Sequence, residues 1–305
     1  MTNQPCYRNV LRATGQAGLL LFVLQGNAAY GQDLMASTTS FTTMPDAPLV
    51  PMPTAVVSSF GRPDRLEQEV FLQSAPIHRV RGVKAGITGT QRASLSAGRI
   101  AHDASIQTID EARLTFQSAK RTELNFRDFW GYNVAAYRLG VMLGLDNIPV
   151  SVARHFNSRP AAFTWWVDDV LMDERARVAQ GMKPPVPASW SAQVHVMRVF
   201  DELIANTDRN LGNMLIDRQW KLWLIDHSRA FRLHETLLAP MYVRRCDRAL
   251  LAQMKALTRK AVDEELGDYL TSAERQALMR RRDVLVRLVE SLGPTALYDR
   301  NVSRP

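Results

Sequence analysis

The most constraining feature of this 305-residue sequence is a polar loop that leads directly into a short apolar hairpin. The loop, residues 206–213, reads Asn-Thr-Asp-Arg-Asn-Leu-Gly-Asn, and residues 214–225 form two apolar stretches around a polar turn. Such a pattern predicts a β-hairpin, and an acid, Asp226, follows its second stretch. Because a hairpin brings its two ends together, we expect Asn213 and Asp226 to lie side by side, with Asp208 nearby.

This arrangement suits phosphoryl transfer. The amide oxygen of Asn213 and the carboxylate of Asp226 are hard donors that can hold Mg²⁺ while substrate phosphates take its remaining positions. Asp208 can accept the proton of an attacking hydroxyl or orient that hydroxyl. The alternative is that each side chain only caps a turn, which any one of them alone would favour. The ordered set favours a kinase-type site, where catalysis is mostly positioning and neutralisation of phosphate charge.

Composition excludes several other classes of protein. With 46% apolar and 22% charged residues, the chain can bury a core and is not disordered throughout. No stretch supplies about 18 uninterrupted apolar residues, so a multi-span membrane protein is excluded. Two cysteines, Cys6 and Cys246, exclude a disulfide framework and a thiolate zinc cluster; Cys246 is predicted to be structural. The net charge of +8 indicates an anionic partner without identifying it.

The N-terminal part is not predicted to belong to the core. Arg8 and Arg12 precede a short apolar run and small residues, the form of a secretory signal, which we place at 1–31. A genuine signal would make the protein exported, periplasmic or secreted, with no transmembrane span in the mature chain; otherwise it would be cytoplasmic. The alternative is a disordered N-terminus with an accidental apolar patch. Residues 32–63, rich in Ser, Thr and Pro, are predicted to be a linker.

A β-rich segment precedes the first long predicted helix. Glycine-punctuated residues 80–118 predict about three antiparallel strands, and the apolar spacing of 126–145 predicts a helix. Gly86 and Gly89 would suit a loop over phosphates, because glycine lets backbone N–H groups approach an anion closely. The alternative, that both glycines only allow turns, is at least as well supported.

The C-terminal part is predicted to be largely helical. An amphipathic helix leads into residue 206, and a second apolar stripe runs from Leu278 to Leu292. The three consecutive arginines at 280–282 are predicted to be a solvated face.

The segments 206–213 and 224–231, the latter reading Leu-Ile-Asp-His-Ser-Arg-Ala-Phe, resemble the atypical branch of the kinase-like fold. That branch includes phosphatidylinositol 3-/4-kinases, bacterial toxin kinases related to them and secretory-pathway kinases. The resemblance implies an α+β fold of two lobes, a small β-rich N-terminal lobe at 64–170 and a mostly helical C-terminal lobe at 171–305. Only residues 198–231 carry specific matches.

Carried over residue by residue, the resemblance implies that Asp208 is the catalytic-loop aspartate. Asn213 and Asp226 would be the metal-binding asparagine and aspartate, with His227 and Ser228 in place of the Phe and Gly that usually follow. The implied cofactors are ATP and Mg²⁺ or Mn²⁺. The phosphate acceptor would carry a hydroxyl group, on a protein, a lipid, a sugar or a small molecule.

The N-terminal lobe departs from the family pattern. Such kinases carry a strand lysine that contacts phosphates and a helix glutamate that pairs with it, whereas Gln107 and Asn133 occupy those positions here. An amide pair can form a hydrogen bond like the ion pair, but it cannot supply positive charge. Lys84 or Lys120 is an alternative source of that charge.

The same resemblance implies that the strand with Trp165, Trp166 and Val167 is the hinge between the lobes. Its backbone would bind adenine, with Trp166 and Val167 lining the pocket; the alternative is that these are ordinary core residues. The leading hypothesis is therefore an ATP-dependent phosphotransferase. The alternative is a pseudokinase that binds nucleotide and acts as a scaffold or partner-activating module. Nucleic-acid binding is not expected, since no aromatic-basic motif on adjacent strands supports it.

Overall fold

In a computed structural model of the chain, the residues that the structure describes are 63–83, 89–117 and 122–300. All of them lie within one compact unit, Phe60–Pro305. The predicted signal peptide, nearly all of the predicted linker, Gly86 and the two candidate lysines at 84 and 120 therefore lie outside the described residues.

The first described element is helix α1 (Arg65–Ser74), just after the predicted linker. Its start is set by a capping box, in which the Asp64 carboxylate accepts from the Glu67 N–H at 2.9 Å. The Glu67 carboxylate accepts in return from the Asp64 N–H at 3.0 Å. This reciprocal pair satisfies two N–H groups that a helix end otherwise leaves open.

An antiparallel sheet of five strands forms the N-terminal part, in the order β1-β2-β3-β7-β6. Strands β4 and β5 form a separate two-stranded hairpin between β3 and the first long helix. In chain order these elements are β1 (Ile77–Gly82), β2 (Gln91–Ala97), β3 (Ile100–Gln107), β4 (Asp110–Gln117), β5 (Thr122–Phe129), α2 (Gly131–Met142), β6 (Ser151–Phe156) and β7 (Arg159–Trp165).

The structure confirms strands within 80–118 and corrects the predicted start of the following helix. Residues 126–129 belong to β5, and α2 begins only at Gly131. Phe126 and Asp128 are both buried and lie two positions apart, which is the alternation of a strand rather than the spacing of a helix. Pairing with β4 across the hairpin decides this conformation, and the helical pattern of the sequence alone did not reveal it.

The C-terminal part begins with a three-stranded sheet and then becomes helical. Strand β9 lies between β10 and β8, and β9 and β10 form the predicted hairpin, with Leu222 opposite Ile216. The elements in chain order are β8 (Val170–Asp173), α3 (Glu174–Ala179), α4 (Pro187–Leu203), β9 (Met214–Asp217), β10 (Leu222–Leu224), β11 (Cys246–Asp247), α5 (Arg248–Ala256), α6 (Arg259–Leu266), α7 (Ser272–Ser291) and β12 (Leu297–Tyr298).

Helix α7 corrects the prediction that the arginines at 280–282 form a solvated face. Arg281 is 0% exposed, between the buried residues Leu278 and Leu285 of the same stripe. Its guanidinium donates to the backbone carbonyls of Leu203 at 2.9 Å, Arg232 at 2.7 Å and His234. Helical periodicity places residue 281 on the apolar stripe, and three carbonyls there replace the water that the charge would otherwise require.

Two further features complete the fold. No helix of the described residues is long and apolar enough to cross a membrane. Cys246 is fully buried, and burial raises the pKa of its thiol to about 12, as expected for a structural cysteine.

Candidate active site

The loop between α4 and β9 is held in place by Asn206. Its side chain is buried; the amide donates to Asp201 at 3.0 Å, and its oxygen accepts from the N–H of Asp208 at 3.0 Å. An asparagine oxygen that binds the N–H two residues later is a typical turn device. It sets the position of Asp208, whose side chain remains 39% exposed.

Arg209 ties the two ends of the hairpin together. Its guanidinium pairs with Asp201 at 2.9 Å and donates to the carbonyls of Asn213 and Ile225, both at 2.9 Å. It also lies 2.9 Å from Nε2 of His227. Burial, reinforced by the arginine charge, lowers the pKa of this histidine well below its usual value, so the neutral ring accepts the hydrogen bond.

Hairpin pairing places Asn213 opposite Ile225, the residue before Asp226. The N–H of Ile225 donates to the carbonyl of Asn213 at 3.1 Å, and the Asn213 side-chain amide donates to the carbonyl of Asp208 at 3.1 Å. Asp226 has a positive φ of 55°, a conformation that costs a residue other than glycine on the order of 1 kcal/mol. The three predicted site residues therefore belong to one hydrogen-bonded turn region.

A chain of amides connects this region to the N-terminal sheet and to α2. Gln107 Nε2 donates to Asp226 Oδ1 at 3.3 Å and to the Thr90 hydroxyl at 3.1 Å. Asn133 Nδ2 donates to Gln107 Oε1 at 2.6 Å, and Asn133 Oδ1 accepts from the N–H of His227 at 2.8 Å. The hydrogen bond expected between the two amides is present, and both side chains are buried.

Positive charge approaches Asp208 from the segment after Asp226. Arg229 lies 3.8 Å from the Asp208 carboxylate and 2.6 Å from Glu123 on β5. Glu123 also pairs with Arg232 at 3.0 Å. Burial lowers the pKa of Arg232, while the nearby carboxylate opposes that shift. The β4–β5 hairpin is thus joined by ion pairs to the segment that follows Asp226.

Sequence reasoning missed a further acid, Asp128. It is 5% exposed, and burial raises the pKa of its carboxyl, an effect that a hydrogen bond from Ser228 opposes and the charge of Asp226 reinforces. Its Oδ1 has no hydrogen-bond partner among the described residues. The signal that could have identified it is its position two residues after the apolar Phe126, on the same face of a strand. The predicted helix at 126–145 concealed that signal.

The predicted nucleotide-binding residues are distributed along the sheet. Gly89 has a φ of 66°, a left-handed conformation that glycine adopts readily, and it adjoins Thr90, the partner of Gln107. The N–H of Trp166 donates to the carbonyl of Asp103 at 3.1 Å, and Arg92 stacks 4.1 Å above the Trp166 ring. The N–H of Trp166 is therefore engaged within the protein.

Val167, the other predicted hinge residue, is buried and lines a cavity of about 180 Å³ together with Trp165, Ile148 and Trp223. Gln107 is not among the residues that line this cavity. The structure therefore does not place Val167 and Gln107 around one common cavity.

The donor set near Asp226 fits a hard divalent cation. The described residues donate to only one carboxylate oxygen of Asp226, since Gln107 and Ser228 both donate to Oδ1. The Asn213 amide nitrogen is engaged with a carbonyl, which leaves its oxygen for a ligand. Within the described ranges, no group of three or more His, Cys, Asp or Glu side chains could hold a metal by itself. One carboxylate and one amide, completed by phosphate and water, is an arrangement that Mg²⁺ commonly accepts.

Comparison with known proteins identifies the fold. No protein-family model matches the sequence, and no curated protein matches it closely. Among solved structures, Fam20 of hydra, determined with a sugar, is similar with a TM-score of 0.60 at 14% identity, over 78% of this chain and 93% of that one. The Golgi casein kinase with Mn and ADP bound is similar with a TM-score of 0.55 at 12% identity, over 76% of each chain.

These comparisons support an atypical kinase-like fold and do not support the phosphatidylinositol-kinase part of the resemblance. The β-sheet part and the helical part of the structure agree with the predicted α+β architecture. The chain therefore has a kinase-like fold similar to that of Fam20 and the Golgi casein kinase.

Proposed function

We propose that the protein is an ATP-dependent phosphotransferase that uses Mg²⁺ or Mn²⁺ and transfers phosphate to a hydroxyl group. The observation that carries this proposal is the hydrogen bond from Gln107, at the end of β3, to Asp226. It joins the residue to which we assign the strand-lysine position and the residue to which we assign the metal-binding aspartate position, in a chain with a kinase-like fold.

In this proposal each site residue has a defined role. Asp208 accepts the proton of the acceptor hydroxyl, and Asn213 and Asp226 hold the cation. The bound cation would neutralise charge on the phosphates. Gln107 and Asn133 orient Asp226 through their amide chain. The Mn and ADP bound to the Golgi casein kinase support this choice of cofactors.

Nucleotide would lie between the sheet and the Asp226 loop. Gly89, with Gly86, would cover the phosphates. Trp166 and Val167 would contact adenine. Because the N–H of Trp166 is engaged with Asp103, we assign the adenine hydrogen bond to the backbone of Val167.

The acceptor and the location follow from the same proposal. The acceptor carries a hydroxyl on a protein, a lipid, a sugar or a small molecule. We also propose that this chain is exported and that the boundary between its two lobes lies near residue 170. The sugar in the hydra Fam20 structure and the Golgi location named for the casein kinase support these choices.

One observation favours a second candidate, a pseudokinase that binds nucleotide without turning it over. Gln107 is neutral, and its amide is already fully engaged with Asn133, Thr90 and Asp226. No charge at this position would therefore stabilise the transferring phosphate. In this case the fold would serve as a scaffold or activate a partner.

The test measures nucleotide binding and turnover separately. Melting temperature is recorded for the full chain with and without Mn²⁺ and ADP, and ATP turnover is followed with radiolabelled phosphate. Asp226→Ala is compared with Asp299→Ala, a control at an exposed acid. If ligands stabilise wild type and the control and both turn over ATP, whereas Asp226→Ala loses both properties, the transferase is supported. Stabilisation without turnover supports the pseudokinase, and the absence of both from wild type refutes the nucleotide site.

A second experiment restores the usual ion pair with the double variant Gln107→Lys/Asn133→Glu. If the absence of a lysine charge at position 107 limits the chemistry, turnover rises at least about tenfold. A positive charge beside the negative charge that develops in the transition state lowers the barrier by roughly 1.4 kcal/mol or more. Each single variant serves as a control, since it breaks the amide pair without restoring the ion pair.

A further inference from the structure

Asp128, near the end of β5, is a buried carboxylate that the proposed function does not use. The residue is 5% exposed, and its Oδ1 has no hydrogen-bond partner in the described part of the chain. A buried carboxylate oxygen without a donor is strongly unfavourable. A group that compensates the buried carboxylate of Asp128 is therefore required nearby.

The Ser228 hydroxyl, which reaches Asp128, is shared with another carboxylate. The Ser228 side chain hydrogen-bonds to Asp128, and its hydroxyl donates to Asp226 Oδ1 at 3.1 Å. A hydroxyl carries a single proton, so it cannot donate to both carboxylates at once. The carboxylates of Asp128 and Asp226 therefore compete for the single hydroxyl proton of Ser228.

The nearby charges do not remove this deficit. Asp226 and Asp208 are both close enough to disfavour the charge on Asp128, and Arg229 opposes them. The guanidinium of Arg229 already pairs with Glu123 at 2.6 Å, and it lies 3.8 Å from Asp208. It is therefore shared among acids and does not neutralise Asp128 alone.

We propose that Asp128 is a ligand of a divalent cation that it shares with Asp226. The inference rests on the proposed function, and it adds a ligand from β5 to the metal-binding residues of the C-terminal part. Two carboxylates, completed by phosphate oxygens and water, match the coordination that Mg²⁺ and Mn²⁺ take at nucleotide sites. The N–H of Phe129 donates to the carbonyl of Ser228 at 2.9 Å, which holds the end of β5 against the Asp226 loop.

The test is direct Mn²⁺ binding by the full chain, measured by electron paramagnetic resonance of free Mn²⁺ and repeated with ADP. Asp128→Asn preserves the shape of the side chain and removes its charge. We expect the Asp128→Asn variant to bind Mn²⁺ at least tenfold more weakly than wild type. Without metal the variant should melt at a higher temperature than wild type, and with metal it should not. The control is Asp110→Asn, the same substitution at an exposed acid of the same hairpin that is not the cross-strand partner of Asp128. Asp128→Glu, which retains a carboxylate, should keep measurable binding.

Equal Mn²⁺ binding by wild type and Asp128→Asn overturns the inference, because it shows that the Asp128 carboxylate does not hold the ion. If Asp128→Asn loses Mn²⁺ binding while ADP binds neither protein, the inference stands and the proposed function fails. If both proteins bind ADP and Mn²⁺ equally, the proposed function stands and the inference fails.

Discussion

Replacing the buried Arg281 with alanine should destabilise the protein more than any substitution at a neighbouring arginine. The guanidinium is 0% exposed and donates to three backbone carbonyls, from the end of α4 and the segment after Asp226. Removing it leaves two buried acceptors and one partly buried acceptor unpaired, each worth about 1–3 kcal/mol. The variant therefore tests whether one side chain joins α7 to the region of the active site.

The magnitude is a balance of two effects. Burial lowers the pKa of Arg281 to about 10, so roughly 3 kcal/mol of charge-burial cost is recovered when the guanidinium is removed, at about 1.4 kcal/mol per pKa unit. Three carbonyls at about 2 kcal/mol each exceed that gain. The expected net loss in the free energy of unfolding is about 3 kcal/mol, or a melting temperature about 6–12 °C lower.

Urea unfolding followed by tryptophan fluorescence measures this loss. Arg280→Ala is the matched control, because Arg280 is exposed on the same helix and should change stability by less than about 0.5 kcal/mol. Arg281→Met keeps much of the apolar volume without the donors, so it separates packing from hydrogen bonding. A loss below about 1 kcal/mol in Arg281→Ala, or one that Arg280→Ala reproduces, would refute the reasoning.

Three further predictions concern the loop, the amide chain and the cysteine. Arg209→Lys keeps the charge but loses the planar guanidinium that reaches two carbonyls. Urea unfolding should show a free energy of unfolding that is lower by about 2–3 kcal/mol, whereas Arg218→Lys, at an exposed arginine, should leave it unchanged. Asn133→Leu leaves buried partners unpaired and should cost about 2 kcal/mol and reduce the stabilisation by Mn²⁺ and ADP; an unchanged thermal shift would contradict the role of the amide chain. Because the pKa of the Cys246 thiol rises from 9.0 to about 12 on folding, stability should fall as pH rises from about 9 to 12. In a Cys6→Ser background the thiol should react with a disulfide reagent at pH 8 only after unfolding, and fast reaction of the native protein would show that it is accessible.

The loop and the hairpin were predictable because their signals are local. Polar turn residues between two apolar stretches predict a hairpin, and hairpin geometry brings Asn213 beside Asp226 whatever surrounds it. The amphipathic spacing of α4 and α7 predicted helices for the same reason. Asp208 lies only five residues from Asn213, so its proximity also followed from the chain.

The residues that local signals did not reveal depend on distant partners. Residues 126–129 carry apolar residues at helical spacing, but pairing with β4 makes them a strand and directs Asp128 inward. Arg281 follows two other arginines, and a run of charges usually indicates a solvated face. Here carbonyls from two other segments of the chain accept its hydrogen bonds, so burial became possible.

The sequence by itself determined the hairpin and the local cluster of Asp208, Asn213 and Asp226, because these depend on neighbours within about 20 residues. Only the tertiary structure decided that Gln107 contacts Asp226 across 119 positions of the chain, and that Asp128 is buried beside them. The physical reason is that a buried polar group is stable only with partners, and those partners come from whichever segments the fold brings together. A sequence displays the donors and acceptors, but packing decides which of them meet.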